Sequence, residues 1–291
     1  MPADEGWRYV HGHAEPVLRS HRWRDAANSA GYLLDHLRDG LREAAGRWEG
    51  RILDVGCGPA TITADLGRRF PASTVHGIDP AEAVIAQVAD LPPNVTVAVG
   101  DLFDQDPADG TYDVVHAHQV LQHLPDPVAA LVHMRRLCAP GGIVAVRDVD
   151  YAAMTWAPAV PELDTWLAAY RTAHRAAGAE PDAGRHLLGW ALEAGFEGVT
   201  PSASVWCFAT PEDRRWWAGL WADRVTAPES RLAQQLRADG TGEDDLTAIA
   251  TAWRDWAERP DAWFAVLHGE LIARATSDLS SRSAGAPTAQ I

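Results

Sequence analysis

Residues 51–60 read Arg-Ile-Leu-Asp-Val-Gly-Cys-Gly-Pro-Ala, and this order decides how the rest of the chain is built. Ile52, Leu53 and Val55 form a short apolar run, the pattern of a buried parallel strand. The run carries an acid, Asp54, and closes on a glycine-spaced turn, Gly56-Cys57-Gly58. A helix pattern opens between Pro59 and Thr63, with proline near the first helical position, where its missing N–H costs nothing. Glycines at such a turn let the backbone approach a ligand closely, and the new helix offers unpaired N–H groups. That arrangement suits a nucleotide-like cofactor. A dinucleotide fingerprint would read G-x-G-x-x-G with an acid about 20 residues further on. Here Thr61 takes the third position, and nothing in the loop is built for a pyrophosphate.

The following residues repeat the theme. Val75-His76-Gly77-Ile78-Asp79 is a second apolar run ending in an acid, followed by Pro80. Residues 95–99 predict a third strand, followed by Gly100-Asp101-Leu102, and residues 112–118 a fourth, running into Gln119. Pro125-Asp126-Pro127 predicts a helix start, and Pro140-Gly141-Gly142 its end before a strand over 143–149. Helices between parallel strands imply right-handed crossovers and an open, doubly wound α/β sheet.

With these marks in order, residues 50–150 resemble a class I S-adenosylmethionine (SAM)-dependent methyltransferase. The likeness is to the small-molecule type found among ubiquinone- and menaquinone-biosynthesis methyltransferases. One departure is Ala60, where the family usually has a third glycine. The resemblance implies an enzyme with SAM as cofactor and a mostly parallel, seven-stranded Rossmann-like sheet. It also implies roles for residues: Asp54, Gly56 and Gly58 in the cofactor loop, Asp79 with Pro80 at the ribose, and Asp101 with Leu102 at the adenine. Gln119 is expected to contact the cofactor, and an arginine at or near Arg24 to pair with its methionine carboxylate.

Composition narrows the partners. The net charge is -15, which disfavours a phosphate backbone, and all 25 basic residues other than histidine are arginine. Cys57, Cys138 and Cys207 show neither metal-ligand spacing nor a disulfide framework, which points to a reducing cytoplasm. Asp4 and Glu5 stand where a leader would be basic, and no run approaches the roughly 20 apolar residues of a membrane span. The expected partner is a small-molecule acceptor, not nucleic acid or membrane; oligomeric state is not legible.

The segments outside the shared core should define the substrate. Residues 1–50 read as an arm and cap helix: Trp23, Ala27, Ala30, Leu34, Leu37 and Leu41 recur at helical spacing, predicting one helix over about 20–41. Residues 51–150 form the cofactor core, and residues 151–276 complete the sheet, with helices expected over 162–177 and 184–194 and strands over 199–208 and 263–268. An insertion of about fifty residues, helical in pattern (about 209–260), precedes the last strand and reads as a substrate lid. Residues 277–291 read as a disordered tail. Ten of the 13 tryptophans lie at or after Trp156, including Trp216, Trp217, Trp221, Trp253 and Trp256. Each by itself reads as core, fastening a helix to its support; together they read as the wall of an apolar pocket.

Methyl transfer to a proton-bearing oxygen or nitrogen needs a base as well as alignment. His118, at the carboxyl end of the fourth strand, is the best-placed candidate; His11 and His13, on the arm, are alternatives. With the ordinary histidine pKa near 6.5, activity limited by His118 should rise across roughly pH 6 to 7. His116-x-His118 with His123 lacks the companions of a recognisable metal site, so no metal is expected. The leading function is SAM-dependent O- or N-methylation of a small apolar or aromatic molecule. The alternatives keep the fold but change the outcome: a cyclisation, aminocarboxypropyl transfer, or a non-enzymatic SAM-binding partner protein.

Overall fold

The computed structural model describes residues 15–44, 48–106 and 112–275; His11, His13 and the 277–291 tail lie outside them. Strands β1 (Arg51–Val55), β2 (Thr74–Asp79), β3 (Val95–Val99), β4 (Tyr112–His118) and β5 (Cys138–Val149) run parallel in the spatial order 3-2-1-4-5. The remaining strands are β6 (Thr155–Ala157), β7 (Val199–Phe208) and β8 (Trp263–Arg274). β8 lies antiparallel beside β5 and carries both β6 and β7 as antiparallel partners. Among the described residues the sheet has eight strands, one more than expected. Twelve-residue β8 outruns β5, which pairs with it only over residues 268–274, and short β6 satisfies the backbone groups left at its start.

Helices α1 (Glu15–Arg22), α2 (Ala26–Ser29) and α3 (Gly31–Ala44) replace the single helix expected over 20–41. The break is chemical. Asp25 accepts from the Asn28 backbone N–H (2.8 Å), while the Asn28 side-chain Oδ1 accepts from the Asp25 N–H (3.0 Å). This capping box starts a new helix where the apolar spacing alone would have continued the old one.

Further along, α4 (Thr61–Arg69), α5 (Glu82–Ile85) and α6 (Pro127–Leu137) alternate with strands, and α7 (Pro161–Ala176) and α8 (Leu187–Glu193) follow one another between β6 and β7. β5 begins directly after α6, so Pro140-Gly141-Gly142 lies inside a strand rather than before it. Gly141 is left-handed there (φ 82°), and the register against β4 shifts between Tyr112 and Val114. The insertion between β7 and β8 is helical, as its pattern predicts: α9 (Pro211–Thr226), α10 (Arg231–Ala238) and α11 (Glu243–Glu258).

One core fills the sheet around Leu53, Val115 and Val144; another joins α7, α9 and α11 around Trp166, Trp221, Trp253 and Trp256, with Phe264 of β8 beneath. Those four tryptophans are fully buried, so for Trp253 and Trp256 the core reading holds. Trp253→Ala is expected to destabilise the fold by about 3–5 kcal/mol, since large-to-small changes leave a cavity the surroundings only partly fill. Denaturant unfolding measures this, and a loss below about 1 kcal/mol would place Trp253 outside the core.

Candidate cofactor and acceptor site

The strand order reverses between β1 and β4, and open parallel sheets bind ligands in the crevice at that point. A cleft of about 480 Å³ opens there, within the usual range for small-molecule sites. Its floor is the turn after β1. Gly56 is left-handed (φ 65°), and a side chain on it would come within 2.5 Å of Val120 Cγ2, so only glycine fits. Ala60 adopts the same conformation (φ 60°) in spite of its methyl group.

Each acid that ends a strand has a defined place. Asp54 is buried: one oxygen accepts from Thr63 Oγ1 (2.6 Å) and the other lies 2.8 Å from His116 Nδ1, tying β1 to β4 and α4. Asp79 accepts from the N–H groups of Gly58 and Ala81, each at 2.9 Å, and bridges the first two strand ends. Asp101 accepts from the Phe103 N–H (2.8 Å), capping the turn that holds Leu102. Asp79, Pro80, Asp101 and Leu102 share one end of the cleft; His118, Gln119 and His123 stand at the other. A nucleoside fits this setting: two carboxylates can accept from hydroxyl or amino groups, and Ile78 and Leu102 are apolar walls.

His21 and Arg24 roof the cleft from the end of α1 and the α1–α2 break. They, with Gln119, also line a second, small cavity of about 20 Å³. Its walls are aromatic: Trp23 packs on Trp206 (5.1 Å between ring centres) and Trp216 (5.2 Å), and Trp217 and Trp221 share the lining. Gln119, left-handed at φ 54°, stands at the junction. Its side-chain amide lies 2.8 Å from His268 Nε2; His268 Nδ1 donates to Val266 O (3.1 Å), so the amide donates and Nε2 accepts. His118 is buried between Trp206 (5.8 Å) and His268 (6.1 Å) and lines the cleft, and neither of its ring nitrogens has a hydrogen-bond partner among the described residues.

A methyltransferase-domain family model matches residues 53–144. An uncharacterized methyltransferase of Schizosaccharomyces pombe is 31% identical over 284 residues, 93% of this chain and 97% of its own. The chain belongs to the class I SAM-dependent methyltransferases. A probable methyltransferase of Aspergillus luteorubrus is 27% identical over 91% of this chain and 96% of its own. A putative methyltransferase structure from Bacillus halodurans shares the fold over 83% of this chain and 99% of that one, at 17% identity and a TM-score of 0.50. SAM is the cofactor of this methyltransferase.

The electrostatics of the methyltransferase's acceptor side depart from the sequence expectation. Burial, then the Arg147 and Arg24 cations, push the His118 imidazole well below its ordinary pKa, which favours its neutral form. The expected rise in activity across pH 6 to 7 is therefore corrected: an exposed-histidine pKa does not survive a buried site beside two guanidinium groups. Arg147 itself is buried, bonded to Glu270 (3.2 Å) and Ser204 (3.0 Å), and lies over the Trp206 ring at 4.9 Å.

On the same strand, burial pushes Asp148 up to about 8, against hydrogen bonds from the backbone of Gln122 and Leu121. The folded carboxyl thus holds its proton more tightly than the unfolded one. This contribution to stability is full below about pH 4 and is lost as pH climbs through about 8. Asp148→Asn is expected to flatten the fall in unfolding free energy between those limits. Urea titrations at several pH values check it, and equal slopes in the two proteins would show that Asp148 titrates normally.

Sequence reasoning placed Asp54, Gly56, Gly58, Asp79, Pro80, Asp101, Leu102, His118, Gln119 and Arg24 on one cleft, and there they lie. Arg24 sits in the break after α1, however, not within the single helix expected over 20–41. Sequence reasoning did not single out Trp206, Arg147, Arg224 or His268 as site residues. The strands of Trp206 and His268 were legible, but which face meets α1 was not.

Proposed function

We propose that this enzyme methylates an oxygen or nitrogen of a small, flat, largely apolar molecule held between α1, β7 and α9. The observation that carries the reading is the tryptophan-walled cavity, which meets the cofactor cleft at His21, Arg24 and Gln119 beside His118. SAM, when bound, supplies an electrophilic methyl group on a sulfonium. In this reading Asp79 accepts from the ribose hydroxyls, Asp101 binds the adenine edge, and Leu102 packs on the ring. His118 presents a neutral ring nitrogen to the proton of the acceptor, holding its lone pair toward the methyl group and taking the proton as the new bond forms. Trp206 and Trp216 orient the acceptor and exclude water.

The cavity is too small for such a molecule as it stands, so α1 must lift to admit it. α1 is held to α9 by Arg19 to Asp223 (2.9 Å) and by Arg224 to Ser20 (2.7 Å). The test is an acceptor screen with SAM, using phenols, aromatic acids and aryl amines against aliphatic counterparts. S-adenosylhomocysteine is expected to accumulate with planar acceptors. Methylthioadenosine in its place, or turnover confined to aliphatic acceptors, would overturn the reading.

A further inference from the structure

His268 of β8 lies behind the wall where the two cavities meet. It is fully buried, its ring 4.3 Å from that of Trp206 and 6.1 Å from that of His118. Gln119, which lines both the cofactor cleft and the tryptophan-walled cavity, reaches it with its side-chain amide at 2.8 Å. The Gln119 backbone is held as well: its N–H donates to Arg147 O (2.7 Å), and its carbonyl accepts from the Gln122 amide (3.4 Å). Its φ of 54° is one that a glutamine rarely adopts, and a residue kept there is held by its surroundings. The tautomer of His268 then decides which way the amide faces. Its Nδ1 donates to Val266 O, so Nε2 is bare and only accepts. Gln119 therefore offers its NH2 to His268, which turns Oε1 to the far corner of the amide plane, away from the wall.

We propose that His268 is a positioning residue that sets the acceptor class: by holding the Gln119 amide it presents Oε1 at the junction, and the acceptor that fits is an aryl amine. This rests on the aromatic-acceptor reading above and deepens it, from oxygen or nitrogen to nitrogen. Two groups at the junction call for a hydrogen, the ring of His118, whose nitrogens meet no described partner, and the oxygen of Gln119. A phenol has one hydrogen to give. With that hydrogen on His118, Gln119 Oε1 faces a second oxygen with no proton between them, and an unmet polar group at a buried site discriminates strongly. A primary amine has two hydrogens, and with both held its lone pair points at the methyl group. That electron pair forms the N–C bond as the methyl–sulfur bond breaks and the sulfur keeps its electrons. His118 takes one proton from the nitrogen, and the secondary amine keeps its remaining hydrogen on Gln119.

The experiment uses the full chain loaded with S-adenosylhomocysteine and two probes of one shape, 4-ethylaniline and 4-ethylphenol, titrated by calorimetry. The amine is expected to bind about threefold to tenfold more tightly than the phenol. His268→Phe keeps a ring against Trp206 but no acceptor atom, and should bring the two probes within about twofold of each other. His268→Gln, whose amide oxygen can accept from Gln119, should restore most of the preference. Gln119→Leu should remove it too, and adding His268→Phe to that variant should change nothing further, whereas a packing role for His268 would weaken both probes alike in either background. Affinity of the His268 variants for S-adenosylhomocysteine should stay within about twofold of wild type. Equal binding of the probes to the wild-type protein, or tighter binding of the phenol, overturns the amine proposal and leaves the aromatic pocket standing. A preference that survives His268→Phe overturns it, as does a loss that His268→Gln fails to restore. If His268→Phe does not fold, Gln119→Leu breaks the same contact from the cleft side, and a preference retained there overturns the proposal. If neither probe binds the loaded protein, the aromatic-acceptor reading falls, and this proposal with it.

Discussion

Replacing His118 with alanine is expected to lower kcat by about 10²–10⁴ for any acceptor that carries a proton, with little change in the SAM dissociation constant. The imidazole lies at the end of β4, buried against Trp206 and His268, and its nitrogens meet no other described group. Among the described residues nothing satisfies this ring, which leaves it open to water or a ligand. Because burial and the neighbouring arginines hold it neutral, the wild-type rate should be flat between about pH 6 and 7 and fall only at lower pH, once the ring itself takes a proton. His118→Gln should keep part of the orientation and lose the proton transfer. Two results would remove His118 from the mechanism: near-normal turnover of the alanine variant, or a wild-type profile that titrates at the ordinary histidine value. In that case the arm residues His11 and His13 become the candidates to test.

The second large effect is expected from Asp79→Ala, which should raise the dissociation constant for S-adenosylhomocysteine about 10- to 100-fold. The lost contribution has two sources. One is the charge-assisted hydrogen bonding to ribose assigned above. The other is the geometry of the loop itself: Asp79 holds the N–H groups of Gly58 and Ala81, so removing it frees the glycine turn and the start of the next helix together. Asp79→Asn separates the two. Its amide oxygen can still take one backbone N–H but carries no charge, so an intermediate affinity is expected. Calorimetric titration of the three proteins measures both steps, and an unchanged dissociation constant in the alanine variant would take Asp79 out of the cofactor site.

Much of the cofactor side was legible in the sequence because its signals are local. A buried parallel strand must be a short apolar run, the turn after β1 must carry glycine at Gly56, and an acid at a strand end reaches the crevice wherever the strand lies in the sheet. Each requirement is met within a few residues, so Asp54, Asp79 and Asp101 could be placed before any packing was known. The helical insertion was equally plain, since α9 and α11 have helical spacing along their own lengths.

The acceptor side was decided only by tertiary structure. Which tryptophans are core and which line a cavity depends on what they face: Trp253 and Trp256 close against α7, α9 and β8, whereas Trp206 and Trp216 meet Trp23, in the α1–α2 break almost two hundred residues away in sequence. The break at Trp23–Asp25 could not be read from apolar periodicity, because a capping box made by Asp25 and Asn28 outweighs it. The protonation of His118 and Asp148 likewise follows from desolvation, which Arg147 and Arg24 reinforce at His118 and oppose at Asp148. Local backbone preference travels with the sequence, but charge, burial and pocket shape are sums over neighbours that the fold alone assembles.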